Sequence, residues 1–207
     1  MPGILFVVSA PSGAGKTSLL RELVPADAGL ALSVSHATRA MRPGEVDGEH
    51  YHFVSIEKFE SMVAAGEFLE HARVFDNYYG TSEAAVRSLL DAGRDVVLEI
   101  DWQGARQVRA CFADAVSVFI APPGIDALRQ RLAGRGQDSD EIIARRMADA
   151  RSELAHFDEY DYLLINDDFA VCLDDLRAVV RAERLRLAAQ RERHADALAG
   201  MLARAPG

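Results

Sequence analysis

Apolar positions along this chain follow two periods. Largely apolar runs at residues 4–8, 95–100, 115–121 and 162–166 have the length of strands, which predicts strands buried on both faces of a parallel sheet. Between them, residues 102–111, 125–133, 139–156 and 170–195 carry apolar residues at helical spacing. Strand followed by helix, repeated, predicts a doubly wound α/β core with helices flanking the sheet. Two segments break the rhythm. Residues 33–94 hold short alternating stretches at 51–54 and 68–75 and helical patterns near 55–65 and 82–92, so they read as an inserted α+β lobe. Residues 124–147 are dense in Arg, Gly and Asp, with a loop tip at 134–138, a composition that suits a mobile lid better than a core layer. The expected division is a domain over 4–185, with a core of 4–32, 95–123 and 148–185, a lobe over 33–94 and a lid over 124–147. A C-terminal helical extension over 186–207 follows, and a single long helix is expected over 174–205.

The loop after the first apolar run carries chemistry. Ala10, Pro11, Ser12, Gly13, Ala14, Gly15, Lys16 and Thr17 sit between a strand pattern and a helix start, the context of a phosphate-binding P-loop. Glycines let backbone N–H groups converge on phosphate oxygens at the positive end of a helix. Lys16 adds a mobile point charge for the outer phosphates, and the Thr17 hydroxyl suits a Mg²⁺ site. The general pattern has Gly where Ala10 stands; a small side chain still leaves room for the loop.

Composition narrows the partners. A formal net charge of −9 argues against a protein that coats nucleic acid by bulk electrostatics, so any polyanionic ligand must be held by local clusters. Lysine occurs only at Lys16 and Lys58, and one of the two falls in the loop. No apolar run approaches a membrane span and no basic leader precedes the first, so a cytoplasmic protein without a membrane partner is expected. Cys111 and Cys172 lack metal-like spacing and read as buried free thiols in a reducing cytoplasm. His36, His50, His52 and His71 crowd the lobe, but their spacing matches no metal site.

Arg39 and Arg42, three apart at a strand-to-loop exit, could grip a second phosphate with bidentate geometry. Taken together with the loop from Ala10 to Thr17, the flanking residues Ser33 to Ser35 and Arg42 to Glu45, and the stretches Tyr51 to Phe53, Glu67 to Glu70, Asn77 to Thr81, Leu98 to Gly104 and Ile120 to Pro123, this ordered set resembles the guanylate kinases, from about Ile4 to the last helix. The resemblance implies phosphoryl transfer from ATP to GMP, with dGMP as a further acceptor, Mg²⁺ accompanying ATP, and homo-oligomers open. It implies that Arg39, Arg42, Tyr51 and Tyr79 hold the acceptor phosphate, that Glu70 reads guanine, and that Ser35 and Thr81 contact the base. Guanine presents N1–H and an exocyclic amine side by side, which an acceptor-only carboxylate takes; adenine lacks that pair. Arg131, Arg135 and Arg146 are the lid arginines by the same resemblance.

At the end of the strand over 95–100, Asp101 is the preferred acid for Mg²⁺ or its waters, with Glu99 second. The resemblance also allows Asp101 to contact the acceptor, and a third reading has it capping the helix that begins at Trp102. Asn166, Asp167 and Asp168 form an adenine-side loop in this reading. Two rivals stand beside it: a noncatalytic peptide-binding module of the same fold, and a related kinase with another acceptor.

Overall fold

Leu5, Phe6, Val7 and Val8 are all buried, because their strand lies in the middle of a sheet with helices on both faces. The computed structural model describes residues 2–74, 76–133 and 140–203. In chain order the elements are β1 (Leu5–Ser9), α1 (Lys16–Ala26), β2 (Leu30–Leu32), β3 (His36–Ala37), β4 (His52–Phe53), α2 (Ile56–Ala64), β5 (Phe68–Val74), β6 (Asn77–Ser82) and α3 (Glu83–Asp91). They continue with β7 (Asp95–Glu99), α4 (Trp102–Cys111), β8 (Val116–Ala121), α5 (Ile125–Ala133), α6 (Asp140–Leu154), β9 (Tyr162–Ile165), α7 (Phe169–Arg184), α8 (Leu187–Arg193) and α9 (Ala195–Ala203).

The main sheet has the order β2-β7-β1-β8-β9 and is parallel throughout. Alternate residues of β1 serve opposite layers, as the period of a strand requires. Phe6 and Val8 face Leu19, Leu20 and Leu23 of α1 and Leu173, Leu176 and Val180 of α7. Leu5 and Val7 face Val86 and Leu90 of α3 and Ala105 and Val108 of α4. A smaller mixed sheet, β4-β3-β6-β5, forms the lobe. Its aromatic packing centres on Phe59 of α2, which stacks on Phe68 and Tyr78. The residue pairs β3 and β4 are too short for any periodic signal.

The segment expected as a lid carries a small core of its own. Leu128 and Leu132 of α5 pack on Met147 and Ala150 of α6, with Ile125 and Ile143 beside them. The tip over 134–138 lies outside the described residues.

The long helix expected over 174–205 is not one helix. It divides into α7, α8 and α9, and Arg186, with φ −54° and ψ 141°, leaves the helical conformation between the first two. Local propensity does not force the break, since Leu and Arg are good helix formers. Packing explains where the continuous helix stops. Residues from Cys172 to Glu183 anchor α7, and Arg184 ties its end to Asp27 and Asp95 at 2.6 Å each, whereas α8 and α9 bury no residue at all.

Candidate active site

The carboxyl ends of β1 and β7 open into a cavity of about 320 Å³ shared by the main sheet and the lobe. The loop between β1 and α1 forms its floor. Gly15 precedes α1 with φ 101°, and a Cβ there would stand 2.3 Å from the Asn166 amide nitrogen, so no other residue fits without displacing it. No side chain caps α1 and no acidic residue occupies its first turn, which leaves backbone donors at the positive end of the helix for an anion. Asn166, buried, donates to the Ala14 carbonyl at 2.6 Å and fixes the loop from beneath. Lys16 reaches to the Ile100 carbonyl at 3.2 Å, across the gap between the two strands. The Thr17 hydroxyl donates to Glu99 at 2.5 Å.

The opposite wall comes from the lobe. Arg39 makes a two-pronged contact with Glu45 at 2.7 and 2.6 Å, and Glu45 also accepts from the Arg42 amide at 2.8 Å. Arg39 beside it holds the Glu45 carboxyl down at about 2. The Arg39 guanidinium lies 4.9 Å from the centre of the Tyr51 ring, and Tyr51 meets Tyr79 edge to face. Arg39, Arg42, Tyr51 and Tyr79 all line the cavity, together with Ser35 and Glu70.

Glu70 is the least expected group in such a place, a carboxylate only 4 % exposed. The pairing of β5 with β6 sets Glu70 against Thr81, whose hydroxyl donates to it at 2.5 Å. The Ser35 hydroxyl lies 3.3 Å from that of Thr81. Since Thr81 has already given its one proton to Glu70, Ser35 is the donor of that pair. Gly104 of α4 makes the room, for a Cβ there would come within 2.5 Å of the second Glu70 oxygen. Burial pushes the Glu70 carboxyl up to about 7; the Thr81 hydroxyl opposes the rise and Asp101 adds to it.

A P-loop facing a buried carboxylate and an arginine pair across one cavity narrows the chemistry, and comparison with known proteins decides the family. The guanylate kinase family model matches residues 3–183. The chain belongs to the guanylate kinase family. These enzymes phosphorylate GMP with ATP. The chain is 59% identical over 202 residues to the guanylate kinase of Chromohalobacter salexigens, covering 98% of this chain and 94% of that one. A guanylate kinase from Alkalilimnicola ehrlichii is also 59% identical, over 98% of this chain and all of its own length, 100%. The crystal structure of guanylate kinase from Anaplasma phagocytophilum superimposes with a TM-score of 0.74 at 34% identity, covering 90% of this chain and 88% of that one. No helix among the described residues is long and apolar enough to cross a membrane.

Within this guanylate kinase fold, the remaining expected residues fall in different places. Ala10 to Gly13 and Gly15 to Thr17 line the cavity, while Ala14 is buried behind it. Thr81 is buried and acts on Glu70 from behind rather than facing the cavity. Asp101 lines the cavity but caps α4, accepting from the Gly104 amide at 2.9 Å and from Gln103 at 3.2 Å. It is Glu99, the second choice from the sequence, that touches Thr17. Arg131 donates to the Asn166 carbonyl at 2.8 Å, and Arg146 donates to the Ser12 hydroxyl at 3.0 Å. Arg135 lies outside the described residues.

Two acidic cavity residues carry no recognisable site signal in the sequence. Asp149 and Glu153 stand one turn apart on α6 and both line the cavity, Glu153 accepting from the Ser12 amide at 3.1 Å. Their only signal was i, i+4 spacing in a charged helix, which is also how a solvated face looks. Glu45 appeared within the arginine motif, but its grip on Arg39 was not foreseen because partnership across a turn is a matter of geometry.

Proposed function

We propose that this chain moves the terminal phosphoryl group of ATP to GMP inside the cavity between the P-loop and the lobe. The single observation that carries the reading is Glu70, a nearly inaccessible carboxylate opening on the same cavity as Lys16 and Arg39. In this reading the phosphates of ATP lie on the loop from Ala10 to Thr17. Arg39, Arg42, Tyr51 and Tyr79 hold the GMP phosphate, and Glu70 with Ser35 reads the guanine edge. dGMP carries the same base and phosphate as GMP, so in this reading it is an acceptor as well.

The residues fit a Mg²⁺ ion that would accompany ATP. Thr17 and Glu99 supply hard oxygen donors in mutual contact at the loop, and such ions take few protein ligands and keep several waters. Thr17 and Glu99 would hold it, and bound there it would neutralise charge on the donor phosphates.

Chemistry then asks the protein for alignment and charge. The nucleophile is an oxygen of the GMP phosphate, already ionised, so no general base is needed. Lys16 and Arg39 approach the migrating group from opposite sides of the cavity and offset its charge. Before GMP arrives, Glu45 keeps the Arg39 fork in place; the incoming phosphate meets a guanidinium already oriented. Arg131 and Arg146, each anchored near the loop, are the lid-side charges of this reading. Release of ADP from MgATP, measured with GMP, dGMP, AMP, CMP, UMP and no acceptor, tests it. Turnover confined to GMP and dGMP is the expected result, and equal use of AMP would sink the role given to Glu70.

A further inference from the structure

The loop that cradles phosphate already holds an anion from its own chain. Glu153 of α6 lines the cavity and accepts a hydrogen bond from the Ser12 backbone amide at 3.1 Å. Backbone amides of such a loop are the groups that face phosphate oxygens. Arg146, two turns earlier on the same helix, donates to the Ser12 side chain at 3.0 Å, so α6 approaches this one residue with both signs of charge. Asp149 lies between them, lines the same cavity and has a buried Oδ2 with no hydrogen-bond partner among the described residues.

We propose that Glu153 is an internal competitor for the donor phosphate: its carboxylate occupies the Ser12 amide in the nucleotide-free chain and yields it when ATP binds. The proposal rests on reading the loop as the site of the ATP phosphates. A carboxylate and a phosphate oxygen ask for the same thing from an N–H, and the two anions cannot share one donor at close range without strong repulsion. The carboxylate is also poorly settled where it is. Burial pushes it up to about 7 in spite of Lys16 and the Ser12 amide, and Asp101 and Asp149 push in the same direction. A contact held on those terms is readily exchanged for a ligand with more charge and more oxygens. Glu153 thus sets donor affinity by subtraction, and ATP must displace it, whereas GMP on the far wall need not.

The direction of the effect separates this from a supporting role. If Glu153 merely braced α6 on the loop, removing its charge would weaken ATP binding or leave it unchanged. If it competes, Glu153→Gln and Glu153→Ala bind tighter. Calorimetry at pH 8 with MgATP, inorganic pyrophosphate and adenosine, without GMP, reads the difference. The expected result is about three- to tenfold tighter MgATP and pyrophosphate binding in both variants, with adenosine unchanged, because a factor of ten corresponds to one pKa unit of differential interaction. Equal or weaker MgATP binding in the two variants overturns the proposal, as does an equal gain for adenosine. Lys16→Ala is the control for the loop itself. If it leaves pyrophosphate binding intact, the reading of the P-loop fails; if it abolishes binding while the Glu153 variants show no gain, only the competition fails.

Discussion

Glu70 on β5 pairs with Thr81 on β6, and the Thr81 hydroxyl donates to the Glu70 carboxylate at 2.5 Å. One oxygen of the carboxylate is thereby fixed, while burial keeps water from solvating the rest. A charge held in this way is costly to the empty protein and well placed for a ligand with two adjacent N–H donors.

Glu70→Gln separates those two effects. The raised carboxyl means that ionising Glu70 disfavours the folded state: the protein keeps full stability below the ordinary carboxylate range and loses it as the pH climbs through about 7. The variant is therefore more stable than wild type at pH 8, by at most about 3 kcal/mol, and equal to it near pH 4. It binds GMP roughly 10- to 100-fold more weakly, the loss expected for a charge-assisted pair of hydrogen bonds. Thermal melts at both pH values and GMP titration check this; unchanged GMP affinity would remove Glu70 from base reading.

Gly104→Ala strikes the same carboxylate without touching its chemistry. The added methyl stands 2.5 Å from the Glu70 oxygen, so either α4 or the carboxylate must move. A destabilisation of about 1–3 kcal/mol is expected from overpacking. GMP affinity falls, and MgATP affinity holds, because the loop lies elsewhere in the cavity. Parallel titrations with both nucleotides decide the matter, and an equal loss for each would point to general collapse of the site.

Lys16→Ala removes the mobile charge from the loop while leaving the lobe intact. Phosphoryl transfer drops by about 10²- to 10³-fold, the scale of losing one group that stabilises transition-state charge. GMP binding, assigned in the proposed reading to Arg39, Arg42 and Glu70, is expected to stay near the wild-type value. Single-turnover rates beside equilibrium GMP binding distinguish this from a folding defect, in which both would fall.

Truncation after Arg186 removes α8 and α9, neither of which buries a residue. Gln190 gives a hydrogen bond back to the Arg184 carbonyl at 2.8 Å, the one side-chain hydrogen bond from these helices to the rest of the chain among the described residues. Loss of one such bond shifts the melting midpoint by no more than about 3 °C. Turnover is unaffected. A larger drop would mean that the two helices pack on something beyond the single chain.

Much of the architecture was legible because its signals are local. The four apolar runs became β1, β7, β8 and β9, and the helical patterns over 102–111 and 125–133 became α4 and α5 with the same limits. Strand β2 escaped notice with three residues, and β3 and β4 with two each, since so short a segment carries no period to detect. The single long helix expected over 174–205 fails for the opposite reason: helix propensity persists past Arg184, but the packing that holds α7 does not. Burial of both thiols fails in the same way, since Cys172 is buried within α7 but Cys111, at the end of α4, is exposed.

By itself the sequence determined the P-loop, the α/β order of the core and the ordered motifs that mark the family, because these depend on residue type at fixed spacing along one strand, turn or helix. Tertiary structure alone decided that Glu99 rather than Asp101 touches Thr17, that Thr81 serves Glu70 from behind, and that Glu153 reaches Ser12 from 141 residues away. Each of those depends on which side chain already has a partner. That is settled when distant segments compete for the same donors and acceptors, and a linear pattern contains no record of the outcome.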